Sequence, residues 1–313
     1  MYIVTGATGH IGNSIVRCLL QHHETVRVLV RRTDISLNQL FIDLKIGDLS
    51  NEAFLDENIQ RGDILIHSAG FIDLFNSQKL QSFRTNYHMT KKIVEVCERK
   101  GVRLIYISSV DALPKQKKGK IQEPILLNPR NHKYYYAKSK ALATQYIMDR
   151  IPFGLSATIL YPSAVIGIND YKPSAVGQEV MSALNHRILF SIKGGYNFID
   201  VRDVSLAIYR ASKMTSCDHI ILSGYDKTVT DLYKTIESVS KKKKRIIRIP
   251  TFLVRFIILF YKKYSQMMIT IIQSNHNYDN RRMKEMLLPE LISFEQTILD
   301  TIIWLKDQEN NKR

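Results

Sequence analysis

A tyrosine and a lysine stand four residues apart in Tyr136-Ala137-Lys138-Ser139-Lys140, so on a helix they share one face. A phenol of ordinary pKa about 10 exchanges protons poorly at neutral pH, and an adjacent ammonium favours its phenolate by charge attraction. Lys140 can also bond a nicotinamide ribose. Tyr134 and Lys138 repeat the spacing, so geometry alone leaves two registers open. Ser109 closes the run Tyr106-Ile107-Ser108-Ser109, and strand ends in open parallel sheets are where ligands bind.

A second chemical signal opens the chain. Thr5-Gly6-Ala7-Thr8-Gly9-His10-Ile11-Gly12 follows an apolar run and leads directly into a helical pattern. Gly6 permits a tight turn, Gly9 lets the backbone approach a pyrophosphate, and Gly12 allows close packing of the helix. The helix N-terminus favours the anion. At the end of the second apolar run, a dinucleotide site of the NAD type usually offers Asp or Glu to the adenosine ribose. This chain offers Arg31 and Arg32, which suit a 2′-phosphate, with Asp34 nearby. The expected cofactor is therefore NADP, with NAD as the alternative. Gly47-Asp48-Leu49 closes a third run, where Asp48 either accepts from the adenine amine or caps the next helix.

The elements that must hold these groups are short apolar runs alternating with helix-length stretches, the pattern of a parallel sheet covered by helices. Strands are expected at Tyr2 to Thr5, Thr25 to Val30, Asp43 to Ile46, Asp63 to His67, Val102 to Ile107 and Ser156 to Tyr161. Helices are expected over Ile11 to Gln21 and Thr90 to Lys100, where apolar residues recur every three or four positions. The fold class is α/β, a doubly wound parallel sheet of Rossmann type with a smaller, discontinuous C-terminal substrate lobe. Residues 1–165 form the NADP-binding part, with the sheet rejoined by about 195–222 through the run Phe198 to Val201; residues 166–194 and 223–313 form the lobe. From Ile246 to Ile272 the chain is apolar but broken by Arg248, Pro250, Arg255, Lys262 and Lys263, and its longest uncharged piece is Phe256 to Tyr261. That is short of the roughly 20 residues a membrane span needs, so amphipathic helices are expected, with shallow membrane contact as the lesser alternative.

With 313 residues and 45% hydrophobic content, the chain can bury one large core plus a smaller lobe. Cys18, Cys97 and Cys217 are scattered and odd in number, which speaks against a disulfide framework or a metal cluster. Strand residues begin at Tyr2, leaving no room for a leader ahead of the fold, and the expected location is the cytoplasm. The net charge of +16 attracts polyanions, but Lys241-Lys242-Lys243-Lys244-Arg245 lacks the interleaved aromatics that stack on bases. This run reads as a solvated helix end or loop, and no nucleic acid partner is expected; a homodimer remains open.

Taken together, Thr5 to Gly12, Gly47-Asp48-Leu49, His67-Ser68-Ala69-Gly70, Asn86, Ser108-Ser109, Tyr136 to Lys140 and Pro162 to Gly167 resemble the extended short-chain dehydrogenase/reductase family in order and spacing. The resemblance covers nearly the whole chain. It implies that Tyr136 is the acid/base, Lys140 its activator and ribose ligand, Ser109 the oxygen-binding hydroxyl, and Asn86 a helix residue bracing the site. It also selects the register, because a serine precedes the catalytic lysine in that family as Ser139 precedes Lys140 here. The cofactor-binding set it implies is Thr5, Gly6, Thr8, Gly9, His10, Ile11, Gly12, Arg31, Arg32, Asp48, Leu49, Ser68, Ala69, Gly70, Asn86, Lys140 and Pro162, with no metal. One departure is Thr144, where many relatives carry glutamate. Tyr161 to Gly167 and Asp170-Tyr171-Lys172-Pro173 are similar to dihydroflavonol reductases and 3β-hydroxysteroid dehydrogenases.

The expected activity is hydride transfer between nicotinamide and a carbonyl/alcohol substrate, with an apolar pocket from Phe71, Phe75, Ile166 and the Ile246 to Ile272 region. The main competitor is a nucleotide-sugar epimerase or dehydratase. In those enzymes an arginine holding the phosphates sits two residues before the aromatic of the returning strand, where this chain has Tyr196 before Phe198. Dehydratases of the family carry an Asp-Glu pair after the catalytic hydroxyl, where this chain has Val110-Asp111. A non-catalytic NADP-binding or redox-sensing protein is the third reading; retention of Tyr136, Lys140 and Ser109 weighs against it.

Overall fold

Runs of aliphatic residues that alternate between two buried faces build the centre of the molecule. In the computed structural model, which describes residues 1–257 and 265–310, seven strands form one parallel sheet. They are β1 (Tyr2–Thr5), β2 (Val26–Val30), β3 (Asp43–Ile46), β4 (Ile64–His67), β5 (Arg103–Ile107), β6 (Ala157–Pro162) and, later in the chain, β10 (Asp218–Leu222). Their order across the sheet is β10-β6-β5-β4-β1-β2-β3. Tyr2 and Val4 pack into the core on one side with Val28, Ile105 and Leu160, while Ile3 faces the other side with Leu29, Leu104 and Ile159. Both faces are covered, as a parallel sheet requires.

The strand order reverses between β1 and β4, so the carboxyl ends of these two strands open a crevice at the switch point. Thr5-Gly6 and His67-Ser68 leave the sheet there, and Ser108-Ser109 leaves β5 one strand further on.

The run Phe198 to Val201 does not rejoin the large sheet. Its first three residues end β9 (Gly195–Asp200), which pairs in parallel with β7 (Ala164–Ile166) and antiparallel with β11 (Tyr225–Thr228), and Val201 opens the next helix, while β10 is the strand that returns beside β6. Phe198 is buried against Phe294, so its apolar side chain fills a third core shared with Leu184, Leu232 and Ile298. A parallel pair of β8 (Ile188–Ser191) and β12 (Arg245–Arg248) lies nearby. Ile246 to Arg248 is thus strand and not helix; the β-branched Ile246-Ile247 pair suits an extended ladder, and Pro250 separates it from the helix Thr251–Ile257. A second helix, Gln266–Ile272, follows, and Lys262, Lys263 and most of the Phe256 to Tyr261 piece lie outside the described residues. Among the described residues no helix is long and apolar enough to cross a membrane. The lysine run ends the helix Val229–Ser240, with Lys241 in the left-handed conformation and Lys244 Nζ donating to the carbonyls of Leu184 and His186.

Candidate active site

The turn after β1 is built for a close approach. Gly6 sits at φ +74°, and a Cβ there would meet Ala69 N at 2.5 Å, so only glycine fits between the ends of β1 and β4. Gly12 abuts the carbonyl of Gly6, which presses the helix His10–Gln21 onto the turn itself. That helix starts at Gly9 with no side-chain cap and no acid in its first turn, leaving its first amides and dipole open to an anion. The described residues therefore fit a pyrophosphate here. Thr5 Oγ1 contacts His67 Nδ1 at 2.7 Å, and His67 Nε2 contacts Thr90 Oγ1 at 2.9 Å. Burial, reinforced by the Lys140 charge, drives His67 down to about 3, so the ring is neutral and serves as a rigid link under the crevice. His10 turns away to the carbonyl of Ile168, tying the cradle to the segment after β7.

Arg31 and Arg32 follow β2 and are both exposed. Asp34 is not free to take a ribose hydroxyl: it caps Ser36 and is ion-paired with Lys172. Asp48 spends its carboxylate on the Ser50 amide and hydroxyl, while Asn51 is the residue that caps the next helix. Those bonds hold the Asp48 carboxyl below its usual range, and the charges of Arg84 and Arg31 act in the same direction. Leu49 is buried.

The helix Tyr135–Arg150 carries the tyrosine and lysine, and Asn76 Oδ1 caps it from outside by accepting from Tyr135 N at 2.7 Å. Tyr136 and Lys140 are both buried on it, whereas Tyr134 lies at the N-cap, outside the helix, so the rival register is not a helical pair. The Ser109 hydroxyl stands near the Tyr136 phenol, and its Oγ accepts from Asp111 N at 3.1 Å. Burial and then the Asp111 charge push the Tyr136 phenol up; the Ser109 hydroxyl works against them. Lys140 does not reach the phenol as the spacing predicts. Its Nζ donates to the Ile107 carbonyl at 2.8 Å and stands 4.9 Å above the Tyr106 ring, because the end of β5 offers an acceptor and an aromatic face inside the same buried space. Burial lowers Lys140 to about 7.

Asn86 lies in a π-helical turn, Arg84–His88, a local bulge that sequence periodicity does not reveal. Its Oδ1 accepts from Phe71 N at 2.7 Å, and its Nδ2 donates to Phe71 O at 2.9 Å and Ser139 Oγ at 3.0 Å. These three bonds make Asn86 a brace between the Phe71 loop and the helix that carries Tyr136. Gly70 backs onto this brace, with Asn86 Oδ1 and Lys140 Nζ within 3.4 and 3.5 Å of where a Cβ would stand. Thr144 pairs with Ser108 at 2.7 Å and donates to the Lys140 carbonyl. Ile166 is buried in the third core, whereas Phe75 is exposed.

Two residues beside this site, Lys115 and Tyr278, belong to no motif in the sequence. Lys115 Nζ donates to the Tyr278 hydroxyl at 2.6 Å and is ion-paired with Asp111 at 3.4 Å. Tyr196 stands near them, its ring 5.6 Å from that of His276. Only the charged character of Lys115 is visible locally; its partner is 163 positions away.

The profile of the NAD dependent epimerase/dehydratase family matches residues 2–221. The chain belongs to this family. Sterol demethylase protein B of Methylococcus capsulatus is 24% identical over 98% of each chain. A putative dihydroflavonol 4-reductase of Synechocystis is 32% identical over 65% of this chain and 60% of its own. Among solved structures, a nucleoside-diphosphate-sugar epimerase from Pseudomonas aeruginosa superposes with a TM-score of 0.80, covering 98% of this chain and 97% of that one at 19% identity, which speaks for the shared fold. As a member of the epimerase/dehydratase family the protein is an enzyme of the NAD(P)-dependent oxidoreductase/epimerase kind.

Proposed function

We propose that the protein is an NADP-dependent oxidoreductase acting on a carbonyl/alcohol pair of an apolar small molecule. The observation that carries this reading is the burial together of Tyr136 and Lys140, one turn apart on the same helix, beside the buried Ser109 at the open end of β5. When bound, the nicotinamide supplies or accepts the hydride. Ser109 holds the substrate oxygen by hydrogen bond; Tyr136, kept protonated by burial, donates its proton to that oxygen during reduction and is left as the phenolate, and in the oxidation direction that phenolate takes the alcohol proton back. Lys140 holds the ribose side of the site, anchored through Ile107. Arg31 and Arg32 receive the 2′-phosphate, a role supported by the engagement of Asp34 with Lys172.

The relatives' names support an apolar substrate, since one acts in sterol demethylation and another is a putative dihydroflavonol reductase. Sugar chemistry is disfavoured at Tyr196. A buried pyrophosphate needs cationic partners; Tyr196 offers none, Lys227 across the strand pair from it is drawn to Glu295, and Lys115 is paired with Asp111. The test incubates the protein with nucleotide-diphosphate sugars and, separately, with NADPH and bulky apolar ketones and aldehydes. Stoichiometric NADPH consumption with a ketone is expected; conversion of a nucleotide sugar with only catalytic cofactor would overturn the reading.

A further inference from the structure

Three segments far apart in sequence meet next to Tyr136 in a polar cluster that neither the phosphate cradle nor the Ser109-Tyr136-Lys140 set uses. The first carries Asp111 and Lys115, the second Tyr196, the third His276 and Tyr278. Ile121 pairs in parallel with Tyr278, through Ile121 N to Asn277 O and Asp279 N to Ile121 O, both at 2.8 Å, which pins the first segment to the third. The His276 ring lies 5.6 Å from Tyr196 and 6.3 Å from Tyr278, joining all three. Asp111 sits at the centre: its amide bonds Ser109 Oγ, its carboxylate pairs with Lys115, and its charge reaches both Tyr136 and Tyr196.

This ion pair is open to incoming groups. The Lys115 and Asp111 side chains keep 28% and 27% of their exposure. An ammonium has three donors, of which Tyr278 and Asp111 take two. Among the described residues the Asp111 carboxylate has one ion pair, to Lys115 through Oδ1, and its second oxygen accepts no hydrogen bond. One spare donor on Lys115 and one spare acceptor on Asp111 therefore belong to a single ion pair, whose acid stands two residues from Ser109.

The chemistry of such a pair selects its ligand. A phosphate or carboxylate would gain Lys115 but be repelled by Asp111. A bare ketone or an aliphatic group would leave the carboxylate desolvated and unpaired once it covered the cleft. A hydroxyl satisfies both partners at once, since one O–H donates and its lone pairs accept. While solvated the pair contributes little to stability, but under a bound substrate it becomes a site that discriminates for the hydroxyl.

We infer that Asp111 and Lys115 form a subsite for a second oxygen function on the substrate, a hydroxyl near the reacting carbonyl that donates to Asp111 and accepts from Lys115. The inference rests on the carbonyl/alcohol reading above, and identifies the substrate class as hydroxylated ketones or the matching diols.

The test compares benzylacetone with its α-hydroxy and β-hydroxy derivatives as substrates with NADPH. At least one hydroxylated ketone is expected to exceed benzylacetone in kcat/KM by about 10-fold or more, and that ratio should fall about 10-fold in Asp111→Asn and in Lys115→Gln. A loss that is merely structural would lower all three ketones together and leave the ratio in place, which would overturn the subsite, as would a ratio near one in the unaltered protein. If no ketone is reduced, the oxidoreductase reading fails, and calorimetry of the same three compounds with NADPH-loaded protein then decides the subsite alone. Tighter binding of a hydroxylated compound supports it; equal binding, or none, overturns it.

Discussion

Asn86 Nδ2 lies 3.0 Å from Ser139 Oγ, and this one bond ties the π-helical turn after the crevice to the helix that carries Tyr136 and Lys140. Ser139 in turn donates to the Tyr136 carbonyl at 2.9 Å. The loop at Phe71, the turn at Asn86 and the first turn of the Tyr136 helix are thereby fixed relative to one another. Removing the amide leaves buried groups unpaired, at about 1–3 kcal/mol each.

Asn86→Ala is accordingly expected to lower kcat by about 10-fold or more and reduce Tm by several degrees, with a smaller change in NADPH affinity. Asn86→Asp retains only the bond from Phe71 N and should behave alike. Steady-state kinetics beside a cofactor titration checks this; a variant that loses NADPH binding while keeping kcat would mean that Asn86 holds cofactor and not its neighbours.

The two tyrosines separate the registers. Tyr136→Phe should leave NADPH binding nearly intact and reduce turnover by about 100-fold or more, the size of a positioned proton transfer. Tyr134→Phe, altered at the N-cap, should change turnover little. The opposite ranking in a rate comparison would move the acid/base to Tyr134.

Cofactor choice is read at Arg31. NADPH should bind more tightly than NADH, and Arg31→Asp should narrow the preference by about 10-fold or more, because a charge-assisted bond to phosphate is replaced by repulsion. Equal affinity of the unaltered protein for both cofactors in calorimetry would remove the phosphate role of Arg31 and Arg32.

Lys140 makes stability depend on pH. Burial lowers it from the ordinary 10.5 to about 7, so between those values the unfolded chain holds a proton that the folded chain does not, and stability rises with pH. Below about pH 7 both states are charged and the burial penalty is complete. Lys140→Met removes this titration. In cofactor-free melts it should therefore raise Tm relative to the unaltered protein more at pH 6 than at pH 9; a difference that is flat or grows with pH would contradict the buried-ammonium account.

The sheet and the phosphate cradle were legible in the amino-acid sequence because both are local. Ile3 and Val4 go to opposite cores because a strand alternates, and Gly6 and Gly12 mark where a turn and a helix must approach without side chains. Tyr136 and Lys140 were legible for the same reason, as residues four apart on one helix. What the tertiary structure alone decided depends on partners distant in the chain. Lys140 turns to Ile107 and away from the phenol because β5 happens to end beneath it, and Phe198 goes to a second sheet because Phe294 covers it there. Asn86 required a π-helical turn, which has no signature in a period of three or four. Lys115 and Tyr278 meet across 163 positions, and no local pattern of either segment carries information about a contact that exists only after both have packed around Asp111.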